Sequence, residues 1–346
     1  MDPLSEAQFF NTENDFKLLT NQFYNIIPTH NSDDECSDIA MPVSGFNQVS
    51  NSSYTAPTGD DNWDENYSVI WQTSYLLGKI TAAPEELKPQ IAKYEAETRF
   101  FRALAYFMLV KKFGDVPLVE KQLDVADKDI LYGPRNSRAE VISFVLGELD
   151  QAVAGLPLES DIATADKGRI SKGAALALEA RVALFEGTWR KFHATGDDPK
   201  VLFQKAIAAC SQVFAGNQYQ LFDRRDVMGD SSYRFFFILD KIACNPIGLT
   251  KADQHEVILT RRYDRDIVAS PGVTTGPSIT RKMADMFLCK DGKPITKSAL
   301  FQGYNTVNSE FVNRDPRMSN DVQVPLQRYW SFAQPTYYRD RANPTT

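Results

Sequence analysis

The chain has 346 residues, of which 43% are hydrophobic, 24% charged and 12% aromatic, the composition of a folded protein with a substantial core. It carries 45 acidic against 38 basic residues, a formal net charge of −7, and no Lys/Arg cluster offsets that balance. A nucleic-acid partner is therefore not expected, and no segment reaches the about 18 uninterrupted apolar residues of a membrane span.

The opening "MDPLSEAQFFNTENDF" has no signal-peptide pattern and reads as the start of a mature domain behind an added Met1. A targeting sequence removed upstream would leave no trace. Helical spacing predicts a first helix over Glu6 to Ile26, with Ser5 as its N-cap. From His30 to Asn62 the text is rich in Ser, Asn, Asp, Gly and Pro and loses any period, which predicts a long functional loop. Helical spacing returns through Trp63, Tyr67, Ile70, Trp71, Ser74 and Leu77.

A helix from about Pro89 to Phe113 is apolar on nearly every side and stops at Gly-Asp-Val-Pro. An all-round apolar helix is one with neighbours on several sides. Gly114 is suited to the left-handed conformation that ends it, and Pro117 forbids its continuation. Ser137 and Glu140 have capping-box spacing before the helix "RAEVISFVLGELDQAVAGL". Two further helices follow, "SKGAALALEARVALFEGTWRKF" and "PKVLFQKAIAACSQVFAG", the latter with Pro199 near its first turn.

Paired helices with interleaved alanines predict a mostly α fold, a helical-repeat scaffold of the tetratricopeptide kind. The pair from Ser171 to Gly216 exceeds the about 34 residues of a regular repeat, so the array is repeat-like rather than regular. After Gly216, "NQYQLFDRRD", "RFFFILDK" and "HEVILTRRYD" read as short strands or irregular segments. "SITRKMADMFL" reads as helix, "KDGKPI" as a turn, and the tail from Ser319 has weak periodicity.

Catalytic and metal-binding patterns are sparse. Cys36, Cys210, Cys244 and Cys289 lie far apart without a CxxC pair, and are expected to be buried thiols. His30, His193 and His255 stand near no Gly-x-Ser-x-Gly elbow, and phosphate-loop glycines are missing. His193 follows a helix end, where a capping or surface role is expected, and His255 is expected to be structural. The acidic run Asp33, Asp34, Glu35 and Asp38 lacks the alternating pattern of a calcium loop and reads as solvated. No metal or cofactor is expected. A glycosidase pair hidden among the carboxylates stays open, although nothing points to it.

Aromatic residues set among Ser, Asn, Asp and Gln are the remaining chemical signal, because sugar C–H faces stack on π-faces while hydroxyls bond to flanking polar groups. The candidate carbohydrate-binding residues are Phe46, Tyr54, Asp38, Tyr304, Tyr329 and Trp330. Trp63 and Tyr67 have core-facing spacing and are weaker candidates.

Several segments, in order, resemble the SusD/RagB family of outer-membrane glycan-binding lipoproteins of Bacteroidetes. They are "DPLSEAQFFNTENDFKLLTNQFY", "WDENYSVIWQTSYLLGKI", "EAETRFFRALAYFMLVKKFGDVPLV", "PRNSRAEVISFVLGELDQAVAGLP", "GRISKGAALALEARVALFEGTW", "GPSITRKMADMFLCKDGKPI" and "FVNRDPRM". Of these, "FRALAYFMLVKKFGDVPLV" and "NRDPRM" are the most specific.

The resemblance implies one SusD-like domain over 1–346, with tetratricopeptide-like helix pairs mainly in 1–30 and 63–216. A loop-rich binding part would occupy 31–62 and 217–346. It also implies a surface protein without catalysis, held by a lipid on a Cys upstream of Asp2, that passes oligosaccharide (peptide in some members) to a SusC-like TonB-dependent transporter. A helical-repeat scaffold that binds only protein is the competing class.

The family often has Asn where Ser74 stands. Its members continue past the Arg-Asp-Pro-Arg segment into a further helix, so the last helical repeat is expected to be missing here. No motif carries the family's binding aromatics onto positions of this chain.

Overall fold

The computed structural model describes residues 9–27, 33–42, 45, 48–49, 51–195, 198–237, 239, 245–261, 278–306 and 308–322. They fall into two compact units. One is drawn from Met1–Thr29, Pro57–Tyr219 and Ile258–Arg261, the other from His30–Ala56, Gln220–Val257 and Arg262–Thr346.

The first unit is helical: α1 (Glu13–Phe23), α2 (Asp61–Ala82), α3 (Lys88–Phe113), the single turn α4 (Lys128–Leu131), α5 (Arg138–Gly155), α6 (Lys172–His193) and α7 (Lys200–Ala215). The start of α1 differs from the sequence expectation. Thr12 and Asp15 form the capping box that opens it, Phe10 just upstream has φ 70°, and the expected cap Ser5 lies outside the described residues. The Ser137–Glu140 capping box of α5 is present as expected.

Helix α3 is the axis of the unit, packing against α1, α2, α5 and α6. Phe101, Ala103, Ala105, Tyr106, Leu109 and Val110 on its different faces are all buried, which accounts for its apolar girth. Its buried charges are paired. Glu148 of α5 accepts from Arg99 at 2.9 Å and from Arg102 at 2.7 Å, and Arg169 grips Glu97 at 2.6 Å.

The end of α3 is also built as its text implies. Gly114 has φ 71°, and the chain beyond it lies extended in the core. Val116 bridges to Asn136, the Tyr67 hydroxyl donates to the Pro117 carbonyl at 2.7 Å, and Leu118 N–H donates to the Asn136 side chain. Trp63 packs edge-on against Phe113, so it and Tyr67 serve the core.

The second unit contains short elements: β1 (Ala40–Met41), α8 (Arg225–Met228), α9 (Ser232–Phe236), β2 (Ser278–Ile279), α10 (Arg281–Met286) and α11 (Pro316–Asp321). Of the "RFFF" run, read as a strand or irregular segment, Arg234–Phe236 are helical in α9: the Ser231 and Ser232 backbone takes αR angles and continues directly into it. Strands β1 and β2 pair antiparallel, Ala40 opposite Ile279 and Met41 opposite Ser278.

The cysteine expectation needs correction. Cys289 is buried, but Cys36 and Cys210 are exposed; Cys244 lies outside the described residues. Cys210 is exposed because α7 buries only the stripe of Leu202, Ala206 and Ala209. No described helix is long and apolar enough to cross a membrane.

Candidate carbohydrate-binding surface

In the second unit one short helix, α10, collects two of the residues singled out from sequence. Pairing of β1 with β2 carries residue 38 to the start of α10. Thr280 N–H donates to the Ile39 carbonyl at 2.9 Å and its hydroxyl to the Asp38 carbonyl at 2.7 Å. Thr280 is also the N-cap of α10, accepting from Met283 N–H. Lys282, in the first turn, forms an ion pair with the Asp38 carboxylate, and that hydrogen bond holds Asp38 below its ordinary pKa.

Tyr304 approaches the same helix. Its hydroxyl donates to Asp285 at 2.7 Å, and the Arg281 guanidinium lies 4.5 Å from its ring centre. Phe301 meets the ring edge-on at 5.1 Å. The ring remains half exposed, at 49%. Donation to the Asp285 carboxylate raises the phenol's pKa, so it stays protonated and available as a hydroxyl. Arg281 is held in turn by Glu310 at 2.5 Å and Asp285 at 3.8 Å. The result is a half-exposed ring with a guanidinium over it, a carboxylate on its hydroxyl and a second carboxylate on the guanidinium.

What holds this surface is the "NRDPRM" run. Arg314 is only 2% exposed and donates to the Ala284, Phe287 and Glu310 carbonyls at 2.6, 2.8 and 3.1 Å. Two of those carbonyls end α10, where a cation is favoured by the helix dipole. The same guanidinium lies 5.4 Å from the Phe301 ring centre. Around it Cys289 bridges to Arg314, Lys290 N–H bonds to Asn313, and Asp315 N–H bonds to Leu288. Gly292, with φ 73°, makes the tight turn of "KDGKP" that allows this return. Asp315 then caps α11 through Arg317 N–H at 3.0 Å, with Pro316 in its first turn.

Tyr54 is exposed at 53%, in a stretch without helix or strand, and makes no ring contact with the α10 cluster among the described residues. Phe46, Tyr329 and Trp330 lie outside the described residues. Sequence reasoning missed Arg281, Lys282, Asp285 and Glu310. The i, i+4 spacing of Arg281 and Asp285 was the available signal.

A small open hollow of about 60 Å³ is lined by Gln220, Phe222, Asp223, Asp253 and His255. His255 is exposed at its rim, its carbonyl accepting from Gln220 N–H.

A family model described as "Starch-binding associating with outer membrane", SusD-like, matches residues 20–184. A SusD-like protein of Formosa agariphila is 28% identical over 202 residues, 58% of this chain and 34% of that protein. Another, from Bacteroides ovatus, is 30% identical over 129 residues, 37% of this chain and 22% of its own length. Over residues 20–184 the chain is similar to the SusD-like family.

Solved SusD-like structures agree in fold. A SusD-like protein from Bacteroides fragilis superposes with a TM-score of 0.66 at 22% identity, over 91% of this chain and 61% of that one. A SusD-like carbohydrate-binding protein from the same species gives 0.67 at 19% identity, over 90% and 60%. The chain thus spans about a third or less of the curated relatives it matches and about three fifths of these solved ones.

Proposed function

We propose that this is a non-catalytic glycan-binding protein of the cell surface. In this reading it is lipid-anchored to the outer membrane through a residue upstream of the chain, and hands captured oligosaccharide to a SusC-like TonB-dependent transporter. The observation that carries the reading is the half-exposed Tyr304 ring, fixed by Asp285 and Arg281 on a helix that also holds Asp38. Similarity to SusD-like proteins over residues 20–184 supports it. A sugar face stacks on the ring, its hydroxyls donate to the Asp285 and Glu310 carboxylates, and Arg281 donates to ring or hydroxyl oxygens. An open surface with few contacts binds weakly enough to release ligand onward.

Affinity electrophoresis through native gels containing laminarin, xyloglucan, starch or levan tests the reading. Retardation by at least one, weakened in Tyr304→Ala, Tyr54→Ala or Trp330→Ala, is the expected result. Release of reducing sugar that vanishes with single Asp/Glu substitutions would replace it by a glycoside hydrolase. Co-purification of the full-length protein with a TonB-dependent transporter tests the delivery role.

A second reading, a helical-repeat scaffold for a protein or peptide, is favoured by the exposed Phe192 of α6 and the exposed Ile207 and Phe214 of α7. No retardation by any glycan, together with retained peptide or protein binding, would select it.

A further inference from the structure

The helical unit carries an aromatic face that its core does not use. Helix α2 buries Asn66, Ile70, Thr73 and Leu77 on one side. On the other side, Asp64, Ser68, Trp71, Gln72 and Tyr75 follow one another at helical spacing within about a quarter of the helix circumference. Trp71 is 46% exposed. Its ring lies parallel to that of Tyr75, with centroids 5.9 Å apart and planes within 5°. Tyr75 is fixed from behind, edge-on against Phe10 at 5.8 Å, with the Lys79 ammonium 5.2 Å from its ring centre.

Trp71 is therefore an oriented ring rather than a loose one. Gln72 donates to Ser68 at 3.1 Å, so an amide and a hydroxyl sit linked at the rim of the indole. One turn beyond Tyr75, Gly78 adds no side chain, and a Cβ built there would meet nothing within 4 Å. The face is open at that end.

We propose that this face of α2 is a second glycan-stacking platform. Trp71 supplies the π-face, Tyr75 buttresses it, and Ser68, Gln72 and Asp64 bond to sugar hydroxyls. The ligand class is a neutral oligosaccharide. The polar groups beside the indole are a hydroxyl, an amide and a carboxylate, which match alternating sugar hydroxyls, and the carboxylate disfavours an anionic sugar. A purely apolar partner would leave these three groups without matching donors and acceptors. The proposal rests on the glycan-binding reading above, but on a different unit and different residues.

The same affinity gels, with laminarin, xyloglucan, starch and levan as probes, test it in the intact chain. Trp71→Ala is expected to weaken retardation by the bound polysaccharide about 3- to 10-fold, the range an aromatic contact supplies. Trp71→Phe should recover most of that loss, since it restores a ring. A half-exposed side chain contributes little to the core, so both variants should melt like the parent.

Binding equal to the parent in Trp71→Ala, with binding lost in Tyr304→Ala, overturns the platform and leaves the glycan reading standing. Loss in Trp71→Ala alone, with Tyr304→Ala unaffected, retains the platform and removes the α10 site. A Trp71→Phe variant as weak as Trp71→Ala overturns stacking as the cause. A parent retarded by none of the four polysaccharides overturns both proposals.

Discussion

The Tyr106 hydroxyl closes a two-way bond with the peptide of Val119, accepting its N–H at 2.7 Å and donating to its carbonyl at 2.9 Å. Both residues are buried. A single side chain in the middle of α3 thus satisfies a segment that has left the helix and has no strand to join. Removing the oxygen strands two buried backbone groups. Tyr106→Phe should therefore destabilise the protein by about 2–4 kcal/mol, despite preserving the ring. A shift in urea midpoint below that range would mean that water replaces the hydroxyl.

Arg314 plays the corresponding part in the other unit, through three carbonyls. Arg314→Ala should cost about 3 kcal/mol and lower glycan binding indirectly, since Phe301 and α10 lose their common support. Arg314→Lys should rescue little, because one ammonium cannot reproduce the planar fork. Urea unfolding with glycan affinity read in parallel checks this. A lysine variant as stable as the parent would overturn the assignment.

Gly78 lies inside α2, exposed, with no neighbour to meet an added methyl. Gly78→Ala should therefore raise stability by about 0.5–1 kcal/mol, because alanine loses less backbone freedom in a helix. Thermal melts should show the gain, and a loss would mean that the backbone there is not regular helix.

At the α10 surface, Tyr304→Ala should weaken glycan binding about 3- to 10-fold without lowering the melting temperature, since the ring is half exposed. Asp285→Asn should retain part of the affinity, because the amide oxygen still accepts from the phenol. Calorimetric titration distinguishes the two variants; equal affinities would separate the hydroxyl bond from binding.

Acid should loosen the attachment of α1. Glu13 is held below its ordinary pKa first by its hydrogen bond to Lys93, and Asp166 first by its hydrogen bond to Lys17. A carboxylate with a lowered folded pKa contributes stability that is present above its unfolded value and is lost as pH falls through the folded one. The melting temperature should accordingly drop below about pH 4. Glu13→Gln with Asp166→Asn should flatten that part of the curve, and an unchanged slope would assign the effect elsewhere.

Local rules sufficed for much of this fold. The apolar girth of α3, its stop at Gly114, the Ser137–Glu140 cap and the core-facing spacing of Trp63 and Tyr67 are all readable from neighbours within a few turns. The start of α1 was not, because Ser5 and Thr12 are both competent caps and Phe10's positive φ breaks the earlier pattern. The reading of "RFFFILDK" as a short strand or irregular segment missed the helix at Arg234–Phe236, since aromatic runs suit both periods and flanking structure decided for α9. Exposure of Cys210 was hidden because residue type sets a preference, whereas α7 presents only one face to the core.

The chain order of residues by itself determined a helical-repeat scaffold, the end of α3 and the cap of α5, and a preference for aromatic residues among polar ones as the functional chemistry. Only tertiary structure decided that Asp38 and Tyr304 both contact helix α10. That juxtaposition depends on a two-residue strand pairing between residues 40 and 279 and on Arg314 gripping carbonyls up to 30 positions away. Such contacts have no period and no local spacing. They form because buried carbonyls and strand edges must find partners wherever the folded chain brings them.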